Sequence, residues 1–233
     1  GLDIASGGEL ALVRDVAPKM HVSFAGPGKR DDEIEAAISA GVTLNLESEG
    51  EAERALSIGN RLGVKPRLAV RVNPDFALKG SGMKMGGGAA AFGVDAERAA
   101  SLVRRVIDAG ADWRGLHIFA GSQALDSEAI AATQAATVEL AGRLADEVGT
   151  APPLVNLGGG FGIPYFAGDA TVDVGFVGQK LGEVLTNRPE SLRKSRFAIE
   201  LGRWLAGECG VYLARVVDRK ESRGETFLVT DGG

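Results

Sequence analysis

The stretch LVNLGGGFGIPY, Leu154 to Tyr165, sets three consecutive glycines behind a short apolar run and follows them with aromatic residues and a proline. The apolar part, Leu154–Leu157, reads as a buried strand. Glycines at its C-terminal end leave main-chain amides free of side chains, which suits either an ordinary tight turn or a cradle closing on an anion such as phosphate. The stretch lacks a helix-opening G-x-G-x-x-G followed by an acidic residue on a second strand, so it fails the dinucleotide fingerprint. A mononucleotide-sized phosphate ligand fits better.

Working outward, β-branched runs alternate with alanine-rich helical stretches. The spacing predicts strands at Leu2–Ala5, His21–Phe24, Thr43–Leu46, Arg67–Val72, Gly115–Phe119, Leu154–Leu157 and Phe197–Glu200. Between them, apolar spacings of three and four predict helices such as Asp31–Gly41, Ser48–Gly63, Asp95–Gly110 and Asp126–Gly149, each ending at a glycine C-cap. Seven strands with helical crossovers imply a parallel sheet, either open and doubly wound or a (β/α)8 barrel one strand short. After Leu205 the pattern changes to two strands joined by a charged turn, an antiparallel hairpin. The expected organisation is a barrel over residues 1–205 and the beginning of a C-terminal β domain over 206–233.

Composition narrows the function classes. The chain has 233 residues, 45% of them hydrophobic, and can bury a full core. A net charge of −5 without long runs of one sign argues against nucleic acid and against a polybasic membrane surface. No apolar run approaches the length of about 20 residues that spans a bilayer, and the first residues lack a signal-peptide layout. Cys209 is the single cysteine, so no internal disulfide forms and a cytoplasmic setting is the default. Cys209 itself is expected to be a buried structural thiol. No metal-ligand set is assigned.

Chemistry in such folds gathers at the C-terminal ends of the strands, where ASGGEL, AGPGK, NPD, AGSQ, GGGFG and ELGR fall in turn. In ELGR, Glu200 ends an apolar strand, and burying a carboxylate there is costly unless it meets a cation or a protonated heteroatom. Arg203 either answers Glu200 in a structural ion pair, or reaches a phosphate while Glu200 faces a ligand nitrogen.

GLDIASGGEL, FAGPGKRDDEIEAAISAGVTLNLESEGEAERAL, RVNPD, GLHIFAGSQ, LVNLGGGFGIPY and ELGRWLAGECG resemble, in order and spacing, the pyridoxal-phosphate-dependent decarboxylases of the alanine-racemase-like fold, diaminopimelate decarboxylase in particular. The resemblance runs over essentially the whole chain. KGSGMKMGGGAAAFGVD and GLHIFAGSQ look like the exosortase-associated bacterial branch. It implies a (β/α)8 barrel of alanine-racemase type, missing its first strand in this chain. It also implies pyridoxal 5'-phosphate as cofactor, loss of an α-carboxylate from a basic or diamino acid such as diaminopimelate, and a homodimer with shared active sites.

Residue by residue, the resemblance implies that Gly158, Gly159 and Gly160 give amides to the cofactor phosphate, with Phe161 beside them and Gly202 and Arg203 assisting. Glu200 becomes the partner of the pyridine nitrogen, keeping it protonated so that the ring accepts the electron pair left by departing CO2. Ser122 matches a serine near the phosphate, and Arg71 an arginine on the strand facing the ring. Asp3 and Glu9 match acids beside the cofactor lysine; as plain residues they also read as a helix N-cap and first-turn acid. Phe119 stands where most of the family has a histidine stacked on the ring. His117 lies on the same face of that strand, as a packed core histidine or a residue behind the site, and His21 reads as structural.

The family's Schiff-base lysine ends the first barrel strand, and none of the eight lysines here occupies such a place. Lys29 follows the wrong strand, and Lys84 lies in a glycine-rich stretch that reads as a loop. The chain therefore reads as a fragment, about seven of eight barrel strands plus the start of the β domain. Two other readings stay open: a non-catalytic binding or regulatory protein on this fold, and a phosphate-binding barrel enzyme without the pyridoxal cofactor.

Overall fold

The computed structural model describes residues 1–84 and 86–232. Its first half is β1 (Leu2–Ile4), α1 (Gly7–Val16), β2 (Val22–Phe24), α2 (Asp31–Ser39), β3 (Thr43–Leu46), α3 (Glu49–Leu62) and β4 (Arg67–Asn73). Then come the short β5 (Met83–Lys84) and β6 (Val94–Asp95), α4 (Ala96–Asp108), β7 (Asp112–Ile118), β8 (Gly121–Ser122) and α5 (Ser127–Val148). The remainder is β9 (Leu154–Asn156), α6 (Val174–Thr186), β10 (Arg196–Ala198), α7 (Gly202–Ala206), β11 (Val216–Ser222) and β12 (Glu225–Thr230).

The main sheet runs β1-β2-β3-β4-β7-β9-β10, parallel throughout, with β6 paired to the end of β4. Each principal strand lies beside the one before it in the chain. A doubly wound sheet reverses its strand order at a switch point, so this sequential order settles the choice for a curled, barrel-type sheet. It is open: β1 and β10 are its two edges.

Burial follows from the strand sequences. All four residues of β3 (Thr-Leu-Asn-Leu) are buried, as are the last six of β4, because helices cover one face and the curl of the sheet encloses the other. On α4, Ala99, Ala100, Leu102, Val103 and Val106 form the stripe that seals against the sheet. Ser48 and Asp126 cap α3 and α5 by accepting main-chain N–H groups. Gly63 and Gly149 are the expected C-caps of those helices, whereas α2 and α4 stop at Ala40 and Ala109, one residue before the glycine.

Several boundaries shift. β7 begins at Asp112 rather than Gly115, because a register shift opposite Leu68/Ala69 interrupts the alternation at Arg114 and hides the strand's first turn of pairing. β10 ends at Ala198, so Glu200 lies just past the strand. Lys84 belongs to the two-residue β5, whose backbone pairs antiparallel with β8, and not to a loop. Cys209 is exposed, contrary to the buried thiol expected: it follows α7 in a stretch where residues 202 to 231 are exposed throughout. The hairpin β11–β12 forms as expected, turning at Arg223 and Gly224 with positive φ at both.

Candidate active site

The strand ends build the site in two clusters. In the first, Glu200, just past β10, is fixed by residues from the next two strands along the sheet, β9 and β7. Asn156 at the end of β9 donates through Nδ2 to Glu200 Oε1 at 2.7 Å, and its own Oδ1 accepts the Gly158 N–H at 2.9 Å. His117, buried in β7, places Nε2 3.0 Å from the same Glu200 oxygen. The approach is close but not aligned as a hydrogen bond, and both His117 ring nitrogens are without a hydrogen-bond partner among the described residues. Asp3, near the end of β1, completes the group.

These carboxylates titrate in opposite directions. Burial pushes Glu200 up, but the His117 imidazole, the Asn156 amide and the Arg71 charge outweigh it and hold the carboxyl below the ordinary range. Asp3 is pushed up, first by enclosure on its inner side and then by Glu200, although its outer surface is open at the sheet edge. Glu200 thus stays an anion where Asp3 more readily keeps its proton, the division that acid–base sites use. Asp3, Ser23, Asn45, His117 and Asn156 all face a cavity of about 390 Å³ inside the curl of the sheet.

Glycines 158 to 160 answer a tighter demand than a ligand alone. A Cβ on Gly158 would stand 2.6 Å from the Ile118 carbonyl oxygen, and one on Gly160 would stand 2.7 Å from that of Gly121. At Gly159 it would overlap the Glu200 carbonyl oxygen. The first crowding at Gly158 and Gly159 is therefore the protein's own backbone at and just past the ends of β7 and β10, while at Gly160 the Leu78 side chain, 2.6 Å away, shares it with the β8 backbone. Gly158 and Gly160 also have φ of 70° and 96°, where a side chain is strained. The Gly159 and Gly160 N–H groups have no protein acceptor among the described residues. Phe161 is buried and bridges to Ala124.

Arg203 does not pair with Glu200. Its Nη1 donates to Gln123 Oε1 at 3.2 Å and to the Tyr165 hydroxyl at 3.1 Å. Gln123, next to the half-buried Ser122, has φ of 60° and clamps Ile163 through both ends of its amide, Nε2 to the carbonyl at 2.6 Å and Oε1 from the N–H. Gly202 is exposed at the first position of α7. Glu9 takes the plainer role: with Ser6 it caps α1, accepting the Ala5 N–H at 2.6 Å while Ser6 accepts that of Glu9.

The second cluster lies across the sheet. Arg71 is buried in β4, paired with Glu47 at 2.9 Å, its guanidinium over the Phe92 ring at 5.0 Å and the Phe119 ring at 5.8 Å. Phe119 also meets His117 edge-on, ring centres 6.3 Å apart. Lys29 is buried and fully engaged, donating to Glu51 at 2.7 Å, to Asn45 O at 2.9 Å and to Gly26 O at 2.5 Å. It has no capacity left for a cofactor aldehyde.

Asn156, Gln123 and Glu47 join the site without being expected from the sequence. An asparagine inside the apolar run LVNL, and an acid directly after the apolar TLNL, were the available signals. Gln123 lay within the quoted AGSQ, with nothing to mark its strained backbone.

Residues 1–207 match the model of the family described as pyridoxal-dependent decarboxylase, pyridoxal binding domain. Among curated proteins, the chain is 33% identical over its whole length to the L-glutamyl-[BtrI acyl-carrier protein] decarboxylase of Niallia circulans, covering 55% of that protein. It is 30% identical, again over its whole length, to the diaminopimelate decarboxylase of Methanothermobacter thermautotrophicus, covering 54% of it. The crystal structure of Helicobacter pylori diaminopimelate decarboxylase complexed with L-lysine superposes on the whole chain with a TM-score of 0.82 at 27% identity, the chain spanning 58% of it. The chain belongs to the pyridoxal-dependent decarboxylases and carries their pyridoxal-binding domain, the cofactor being pyridoxal 5'-phosphate. It spans about half the length of the curated relatives it matches.

The residues present fit that cofactor. Free amides at Gly159 and Gly160 suit a phosphate. A carboxylate held as an anion by His117 and Asn156 suits a protonated ring nitrogen. Helices long and apolar enough to cross a membrane are absent among the described residues.

Proposed function

We propose that the full-length protein is a pyridoxal-phosphate-dependent amino-acid decarboxylase acting on a basic or diamino acid such as diaminopimelate, as a cytoplasmic homodimer with shared active sites. The observation that carries this reading is Glu200: a carboxylate just past a strand end, held anionic by three neighbours, beside a glycine turn whose Gly159 and Gly160 amides have no acceptor among the described residues.

The cofactor, when bound, supplies an electron sink for the bond that loses CO2. The chain's own residues do the rest. Glu200 keeps a proton at the ring nitrogen, because its anionic form is the one its surroundings favour. Asn156 orients the Glu200 carboxylate and, by accepting from Gly158, ties it to the phosphate turn. Gly159 and Gly160 bind phosphate through main-chain N–H groups, with Ser122 and Arg203 nearby. Phe119 offers a flat apolar face that excludes water from one side of the ring, and it brings no proton chemistry of its own. The cofactor lysine is assigned to a further parallel strand between β1 and β10, the two edges that the sheet leaves open.

A second reading concerns the substrate alone. Whole-length similarity to a decarboxylase of a glutamyl group on an acyl-carrier protein favours an aminoacyl group tethered to a carrier. Release of CO2 by the full-length protein decides between them, assayed on diaminopimelate, lysine, ornithine, arginine and a glutamyl-loaded carrier protein. Turnover of a free diamino acid supports the first reading, turnover of the carrier-bound group alone replaces it with the second, and no CO2 from any substrate despite bound cofactor counts against both.

A further inference from the structure

Glu47 closes β3 and is buried, with its side chain wholly removed from solvent. Its carboxylate gathers donors from three separate strand-end segments. Oε1 accepts from the Gly26 N–H after β2 and from Arg71 Nη1 in β4 at 2.9 Å; Oε2 accepts from the Gly93 N–H before β6 at 3.0 Å. Its own N–H donates to Glu51 Oε2 at 3.0 Å, so the Lys29–Glu51 pair supports it from behind.

This arrangement does more than neutralise a charge. An arginine side chain has many rotamers, and a guanidinium between two aromatic rings is held only loosely by them. The carboxylate, fixed by two main-chain N–H groups, gives Arg71 one direction. That direction sets it over both Phe92 and Phe119, opposite His117 in the β4–β7 register and among the charges acting on Glu200.

We propose that Glu47 is a positioning residue of the site: it aims the Arg71 guanidinium at the Phe119 ring and thereby fixes the face that Phe119 presents to the cofactor. The last step rests on the pyridoxal-phosphate reading; the aiming of Arg71 does not. Two readouts on the full-length protein separate them. Protons of Arg71 above two ring faces are shielded, so their NMR signals, assigned by loss in Arg71→Lys, lie upfield of ordinary arginine positions. Glu47→Gln keeps the shape but sets an amide N–H against the Gly26 or Gly93 N–H, and the upfield shift should collapse with or without cofactor. Visible circular dichroism of bound cofactor should fall too, and its dissociation constant should rise about tenfold, the usual size for a partner behind the contact residues. In an Arg71→Met background, Glu47→Gln should have no further effect on either cofactor signal, because the two residues act as one unit. Leu144→Ala, in the core face of α5 and without contact to this cluster, should lower thermal stability without moving the Arg71 signals. If Glu47→Gln does not fold, Glu47→Asp, one methylene shorter, serves by the same criteria. Arg71 signals unchanged in a folded Glu47 variant overturn the proposal outright. Collapsed Arg71 signals with unaltered cofactor dichroism overturn its last step, and a wild-type protein that takes up no cofactor contradicts the proposed function while leaving the Arg71 result to stand on its own.

Discussion

Two clusters of charge lie at the same end of one sheet, made from the same ingredients, and they are finished differently. On the β3–β4 side, Lys29, Glu51, Glu47 and Arg71 are buried and every charge meets an opposite one; Lys29, Glu51 and Glu47 add main-chain partners, and Arg71 adds the faces of Phe92 and Phe119. On the β7–β10 side, Glu200, His117 and Asp3 are brought together, and among the described residues His117 is without a hydrogen-bond partner at both nitrogens and the Gly159 and Gly160 amides are without an acceptor. Leaving buried polar groups unpaired is expensive, so a fold that saturates one cluster and leaves the other open marks the second as the place where a ligand completes the bonding. The saturated cluster is the frame against which the open one is held.

That contrast breaks if the clusters respond alike to substitution. The largest effect is expected at Glu200: in the full-length enzyme, Glu200→Gln should retain cofactor and lower kcat by about a hundredfold or more, by removing a charge that acts on the reacting system. Turnover within a few-fold of wild type would show Glu200 to be frame as well. Next comes Lys29→Met, which strands Glu51 as a buried unpaired anion and should cost about 3–5 kcal/mol in urea unfolding, most of it recovered in Lys29→Met/Glu51→Leu. A loss confined to cofactor binding would instead place Lys29 in the site. Gly159→Ala should cost about 1–3 kcal/mol even without cofactor, because its methyl overlaps the Glu200 carbonyl. Stability unchanged with cofactor affinity reduced would return the glycine to a purely ligand-driven role.

The smallest effect is a pair of opposite pH slopes. The Glu200 carboxyl is held low when folded, so its contribution favours the folded state above the ordinary glutamate value of 4.5 and is lost as pH falls through the folded value. Asp3 is raised, so its ionisation disfavours folding above the ordinary aspartate value of 3.8, and the penalty vanishes below it. Asp3→Asn should therefore stabilise the protein at neutral pH relative to pH 3. Equal slopes for Asp3→Asn and Glu200→Gln in acid titrations of stability would contradict the division between the two acids.

Most of the sheet was legible because its strands are short, apolar and separated by helices with clear stripes and caps. β7 was misjudged at its start, where the shift at Arg114 breaks the pattern that sequence periodicity depends on. Glu200, the glycine triplet and Arg203 stood out as unusual residue types at strand ends. Asn156 and Glu47 did not, because each is an isolated polar residue whose partners are 44 and 24 positions away, Glu200 and Arg71. Cys209 was misplaced for the opposite reason: cysteine is a common core residue, and nothing local revealed that the stretch after α7 packs against so little.

Borohydride reduction of the full-length protein with pyridoxal phosphate, followed by peptide mapping, tests the central claim most directly. One stoichiometric pyridoxyl adduct is expected, on a lysine outside these 233 residues, in a strand lying between β1 and β10 and facing Glu200. A stoichiometric adduct on Lys29, Lys84 or any other lysine of this chain, accompanied by activity, would contradict it.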